Sequence, residues 1–225
     1  MVKKKKEADM NFDALDDIND RFNVMVDTEQ IDLHNPVLNG FFYSSSRFND
    51  NHKESWGIPK RSVIQIAAES GVGKSTLVLY MCKDLLAQGY NIAYIDTEKG
   101  VNTNMLESMS MDKYVCNKNK KIGGYFRVYN ETDCDEVNKL VQELAQTNVF
   151  QFMVIDSLGA LDSGLYRLGA GSVDNQKVGG DSKAIKAVMK TINGISASTG
   201  ISFILINHLM QSIGTYVPKE NLLRR

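Results

Sequence analysis

Apolar residues fall in short blocks along this chain, and the spacing within each block predicts its element. Val63-Ile64-Gln65-Ile66-Ala67 is a mostly β-branched run that predicts a strand. After a polar, glycine-bearing break come Leu77, Val78, Tyr80, Met81, Leu85 and Leu86, at the spacing of one helix face. Residues 91–96 and 125–129 predict two more strands, and residues 149–155 a fourth, almost wholly apolar as in a strand covered on both faces. Residues 133–146 are helical, with Val137, Leu140, Val141 and Leu144 inward. Residues 182–196 predict another helix, and 201–206 a fifth strand ending at Asn207-His208. Strands alternating with helices predict an α/β fold, a parallel sheet with helices on both faces.

The remaining segments are less regular. Residues 1–29 are polar and acidic, but Phe12, Leu15, Ile18 and Phe22 recur at helical spacing. They predict a short amphipathic helix that folds back on its own core or docks on a neighbour. Residues 44–54 are polar and read as a loop, and Gly57-Ile58-Pro59-Lys60 as a turn into the first core strand. Residues 162–181 are rich in glycine and read as a mobile loop. The division is thus an N-terminal helix and linker over 1–38 and a core over 39–225.

The break after the first core strand is Glu69-Ser70-Gly71-Val72-Gly73-Lys74-Ser75-Thr76. Strand, glycine loop and helix are the context of a phosphate-binding loop. Gly71 and Gly73 permit backbone angles closed to residues with a Cβ, so successive N–H groups can surround an anion. The helix beginning near Lys74 points its partly positive end at the same place. Lys74 is then expected to reach the terminal phosphates of a bound phosphate chain and the Ser75 hydroxyl to hold Mg²⁺. The pattern opens on Ala68 where glycine is usual.

An apolar strand ending in aspartate is the expected partner of such a loop, and Asp156 takes the Mg²⁺ side through a water held to the metal. Ser157 follows it, so no glutamate is directly adjacent, and Glu98 at another strand end is the candidate base for the attacking water. The plainer alternative is a solvated loop carboxylate. Asn207 and His208 stand at a strand end where they could bond the γ-phosphate, a satisfied core histidine being the alternative. Lys183, Lys186 and Lys190 share one helical face beside the glycine-rich loop carrying Arg167 and Lys177. Such a face suits a nucleic-acid backbone or is a solvated surface.

Composition narrows the class further. The 225 residues are 43% hydrophobic and 24% charged with net charge −1, so any nucleic-acid site is a local one. Lys3 to Lys6 read as a solvated terminus, with weak nucleic-acid contact as the minor alternative. Three cysteines form an odd count without metal-type spacing, which points to a reducing compartment rather than a disulfide framework. No run approaches membrane-spanning length, and there is no secretory signal.

Taken together, AAESGVGKST, YIDTEKG, VIDSLGAL and ILINH resemble, in order and spacing, the RecA family of strand-exchange recombinases, and within it the phage UvsX type. The likeness runs across most of residues 39–214. ALDDINDRFN resembles the family's N-terminal oligomerisation region more weakly. The resemblance implies a RecA-like P-loop NTPase core with ATP and Mg²⁺ as cofactors, and Glu98 as catalytic glutamate. It implies that His208, where cellular members carry glutamine, is the nucleotide-sensing switch. Met105 falls where an adenine-stacking tyrosine sits in relatives. Residues 162–181 match the first DNA-binding loop, the three lysines match helix positions that contact the DNA backbone, and Gln211 begins the second loop. The implied function is a DNA-dependent ATPase that coats single-stranded DNA as a homo-oligomeric filament and pairs it with homologous duplex, in the cytoplasm (of a bacterial host if phage-encoded). A hexameric helicase or loader ATPase, and a nucleotide-binding subunit without turnover, are the alternatives. In the family the core continues with further strands beyond the second loop, so the last strands are expected to be missing from a chain ending at Arg225.

Overall fold

The structure is a computed structural model in which residues 29–48, 51–118, 122–162 and 180–209 are described. A short N-terminal part comprises β1 (Gln30–Ile31), α1 (Pro36–Gly40), β2 (Ser44–Phe48), β3 (Asn51–Ser55) and β4 (Ile58–Pro59). The core follows as β5 (Val63–Ala68), α2 (Lys74–Ala87), β6 (Ile92–Asp96), α3 (Thr103–Ser108), β7 (Phe126–Tyr129), α4 (Cys134–Gln146), β8 (Phe152–Asp156), α5 (Gly180–Thr199) and β9 (Ser202–His208).

Five of these strands form one parallel sheet in the order β5-β9-β8-β6-β7. Successive side chains on a strand point to opposite faces, and the chain exploits this with a separate apolar layer on each side. Ile92 and Tyr94 of β6, Phe152 and Val154 of β8, and Ile204 and Ile206 of β9 pack with Val78, Met81 and Leu85 of α2. Ala93, Ile95, Met153, Ile155, Phe203 and Leu205 pack instead with Val137 and Val141 of α4 and Val188 and Ile192 of α5. All of these side chains are buried, each large one contributing about 1.5–3 kcal/mol by leaving water. Every residue of β6 and β8 is buried, as expected for central strands between helical layers. The strand ahead of the glycine loop, β5, has a single partner, β9, among the described residues and is only half covered. Its other edge has no strand partner among the described residues.

Three readings of the sequence need correction. Residues 44–54 are not a loop: β2 and β3 pair antiparallel from Ser44 opposite Ser55 to Phe48 opposite Asn51. A two-stranded ribbon satisfies its backbone on itself and needs no apolar alternation toward the core, so polarity alone conceals it. Ile58-Pro59 is not only a turn, because it pairs antiparallel with Gln30-Ile31 and buries Ile58 beside Ile31. The fourth core strand begins at Phe152 rather than residue 149. Asn91 N–H and side-chain contacts with Gln151 and Val149 end the ladder there, and Val149 is exposed. Two short helices are too brief to show an apolar period, although their caps are written in the sequence. Asn35 accepts from the Val37 and Leu38 N–H groups ahead of Pro36 in α1, and Asn102 accepts from Met105 N–H at the start of α3. The amphipathic stretch Phe12–Phe22, the 163–179 part of the glycine-rich loop and the segment from Gln211 lie outside the described residues.

Candidate nucleotide site

The C-terminal ends of β5, β9, β8 and β6 are neighbours, and nearly every core residue singled out from the sequence lies there. β5 ends at Ala68 and α2 begins at Lys74, so residues 69–73 form the turn between strand and helix. Gly71 (φ 79°) and Gly73 (φ 92°) have left-handed backbones, and Gly73 is the N-cap of α2 without a side-chain cap. A Cβ at either glycine would meet nothing within 4 Å. Glycine is therefore required by the backbone angle and not by crowding. The uncapped start of α2 leaves N–H groups directed out of the helix end, which suits an anion. Glu69, Ser70, Gly71, Val72 and Gly73 are exposed there, as is Thr76, whereas Ser75 is half-buried. Lys74 is buried, and its Nζ donates to the carbonyls of Ala68 (3.1 Å) and Glu69 (2.7 Å). The ammonium is thus held at the mouth of the loop by two neutral acceptors.

β6 and β8 are joined at their tips by a compact set of bonds. Thr97 N–H donates to the Asp156 carbonyl (2.7 Å). The Thr97 hydroxyl donates to the Ser157 carbonyl (2.8 Å) and accepts from Ser157 N–H (2.6 Å). Both residues are buried. The turn beyond Thr97 is wound around buried Asp96, whose carboxylate accepts from Gly100 N–H (3.2 Å) and Val101 N–H (2.8 Å). Glu98 is carried on this turn. Its Oε1 accepts from the Ser157 hydroxyl (2.5 Å) and lies 2.7 Å from His208 Nε2. These two bonds, Ser157 first, hold the Glu98 carboxyl below its ordinary range. Bonding to the charged form is the cause, and it outweighs partial burial. His208 closes β9, Asp96 closes β6 and Glu98 follows two residues later, so all three stand near strand ends legible in the sequence; Ser157 and Thr97 carry no such signal as supports.

Asp156 is buried at the end of β8. Burial pushes its carboxyl upward, opposed by hydroxyls of Tyr94 and Ser75. The Tyr94 hydroxyl donates to Oδ2 at 2.6 Å, while Oδ1 is buried with no hydrogen-bond partner among the described residues. Burial likewise pushes the Tyr94 phenol well above its ordinary range, so at neutral pH it is a donor. An unpartnered carboxylate oxygen costs free energy in a buried place. The Ser75 hydroxyl and the Asp156 carboxylate therefore fit a hydrated Mg²⁺, which takes few protein oxygens and keeps several waters.

The other candidates fall on the margins. Asn207 Oδ1 accepts from the N–H of His208, and both residues are half-buried. Met105 lies half-buried on α3 and packs against the apolar layer shared with α2. Lys183, Lys186 and Lys190 are exposed along α5, whose Val188 and Ile192 face the core. Arg167 and Lys177 lie outside the described residues.

A glycine loop between strand and helix, with acidic side chains at the tips of neighbouring strands in a parallel sheet, is the architecture of a P-loop α/β domain. Residues 38–221 match the RecA N-terminal domain, and the chain belongs to that family. Among curated proteins it is similar to the protein RecA of Mesoplasma florum, 24% identical over 158 residues, which is 70% of this chain and 44% of the relative. The protein RecA of Malacoplasma penetrans is 23% identical over 207 residues, 89% of this chain and 56% of the relative. That of Oleidesulfovibrio alaskensis is 28% identical over 163 residues, 71% and 42%. The chain therefore spans about half the length of the curated relatives it matches. Among the described residues no helix is long and apolar enough to cross a membrane.

Proposed function

We propose that this chain is the ATP-binding core of a DNA recombinase, which binds single-stranded DNA as a filament of its own copies and pairs it with homologous duplex. One observation carries the reading. Lys74 at the start of α2, Asp156 at the end of β8, Glu98 on the turn after β6 and His208 at the end of β9 lie along one edge of the sheet although distant in sequence, with Glu98 and His208 in direct contact. In this reading the backbone of residues 69–73 and the Lys74 ammonium hold the phosphates of ATP. Ser75 and Asp156 hold Mg²⁺, which supplies positive charge against the phosphate oxygens. The carboxylate of Glu98, ionised at neutral pH, accepts the proton of the attacking water. Its contact with His208 gives a path by which a γ-phosphate drawing on the His208 ring changes the start of the segment beyond β9. Met105 borders the place of the adenine base. Lys183, Lys186 and Lys190, with Arg167 and Lys177, contact the phosphates of DNA, and the protein acts in the cytoplasm where that DNA lies.

Nucleotide binding by this chain is the direct test. Lys74→Ala is expected to abolish binding of a fluorescent ATP analogue while the variant keeps its circular dichroism. A folded Lys74→Ala variant with unchanged affinity overturns the nucleotide site. Filaments on single-stranded DNA in electron micrographs support the recombinase; closed hexameric rings show a helicase-type motor instead.

A further inference from the structure

Tyr94 is a buried polar side chain with no part in holding phosphate or activating water. It sits in the middle of β6, fully enclosed by the apolar layer facing α2, with its ring edge-on to Phe126 at 6.0 Å. A phenylalanine would fill the same space. What the hydroxyl adds is a reach across the sheet. In the parallel register Tyr94 stands opposite Val154 and Asp96 opposite Asp156, so the phenol crosses diagonally to the strand-end carboxylate on the neighbouring strand.

The consequence is geometric. The terminal torsion of an aspartate is broad and nearly two-fold, so a carboxylate without anchors turns easily and either oxygen can point either way. The Tyr94 hydroxyl holds Asp156 Oδ2 at 2.6 Å, the Ser75 hydroxyl also favours the carboxylate, and Oδ1 is buried with no hydrogen-bond partner among the described residues. Resting on the nucleotide-site reading, we propose that Tyr94 is a positioning residue of the divalent-cation site, pinning Asp156 so that Oδ1 is the oxygen offered to the water shell of Mg²⁺. Tyr94 itself touches neither metal nor substrate. Partners of this outer kind commonly change metal affinity 10–100-fold when removed.

The test is Tyr94→Phe, which deletes one hydroxyl and keeps the ring. A fluorescent ATP analogue is titrated into the full chain with EDTA, and then at stepped MgCl₂. The wild type is expected to bind more tightly as Mg²⁺ rises. The variant is expected to match it in EDTA and to need about tenfold more Mg²⁺ to reach half of the gain. Tyr94→Phe placed on Asp156→Asn is expected to add nothing further, because the two residues act as one unit. A variant whose Mg²⁺ midpoint equals that of the wild type overturns the proposal. Equal weakening with and without Mg²⁺ also overturns it, since that is loss of packing. A wild type indifferent to Mg²⁺ overturns the nucleotide-site reading with it. If Tyr94→Phe does not fold, 3-fluorotyrosine at position 94 retains the hydroxyl. Its fluorine resonance is expected to move when MgCl₂ is added to the nucleotide-bound protein, and a resonance that does not move overturns the assignment.

Discussion

Replacing Thr97 with valine tests the joint that holds the two acidic strand ends together. Valine keeps the shape of threonine and removes one oxygen. That oxygen serves two buried backbone groups: it donates to the Ser157 carbonyl at 2.8 Å and accepts from the Ser157 N–H at 2.6 Å. Ser157 is fully buried and Thr97 nearly so, so water cannot replace what is lost. The Ser157 N–H is left unpaired, which costs about 1–3 kcal/mol, whereas its carbonyl keeps the Ala160 N–H at 3.3 Å and loses only one of two bonds, about 0.5–1.5 kcal/mol. The extra methyl in an apolar setting returns less than about 1 kcal/mol. The expected net loss is about 1–3 kcal/mol, above that of an ordinary surface change. In urea unfolding followed by circular dichroism, with a slope near 3 kcal/mol per molar, this moves the midpoint down by roughly 0.3–1 M. Thr97→Ser is the control, since it keeps the oxygen and loses a methyl worth about 1 kcal/mol. If Thr97→Val is no less stable than Thr97→Ser, the joint is not held by this hydroxyl and Glu98 is placed by something else.

The same geometry sets four more expectations. Glu98→Gln keeps nucleotide binding and lowers turnover by about 10²–10⁴-fold, read by phosphate release. Because the folded Glu98 carboxyl titrates below its ordinary 4.5, its bonds to Ser157 and His208 stabilise the fold above that pH and are lost as pH falls through the lowered value. The stability gap between wild type and Glu98→Gln therefore narrows as pH falls through that lowered value; a gap that widens there contradicts the assignment. Changing Lys183, Lys186 and Lys190 together to alanine weakens single-stranded DNA binding across sequences and flattens its salt dependence by up to about one unit of slope per lost contact. An unaltered slope returns that face to solvent. At the sheet edge, Phe203 N–H donates to the Ser62 carbonyl in the parallel β5–β9 register, so the amides of Val63, Gln65 and Ala67 face away from β9. They are expected to exchange hydrogen faster than those of Ile64 and Ile66, and equal strong protection of all five would show the edge to be covered.

Features written in contiguous residues are legible in the sequence by itself. The run from Val63 to Thr76 carries its strand, its glycines and its helix start side by side, and each depends on local backbone angles. Asp156 is legible for the same reason, as an acid closing an apolar run, and Glu98 as an acid two residues past one. The caps Asn35-Pro36 and Asn102 are equally local, but the helices they open are too short for apolar spacing to mark them. The ribbon from Ser44 to Ser55 is different, because its pairing is satisfied between its own two strands and leaves no period in apolar residues. Strand order is different again. No local pattern says that β8 lies between β9 and β6, yet that order alone brings Tyr94 to Asp156 across 62 residues, Thr97 to Ser157 across 60 and Glu98 to His208 across 110. Hydrophobic spacing records which face of an element is buried. Which element covers that face, and so which hydroxyl meets which carboxylate, depends on how the two apolar layers pack around the sheet.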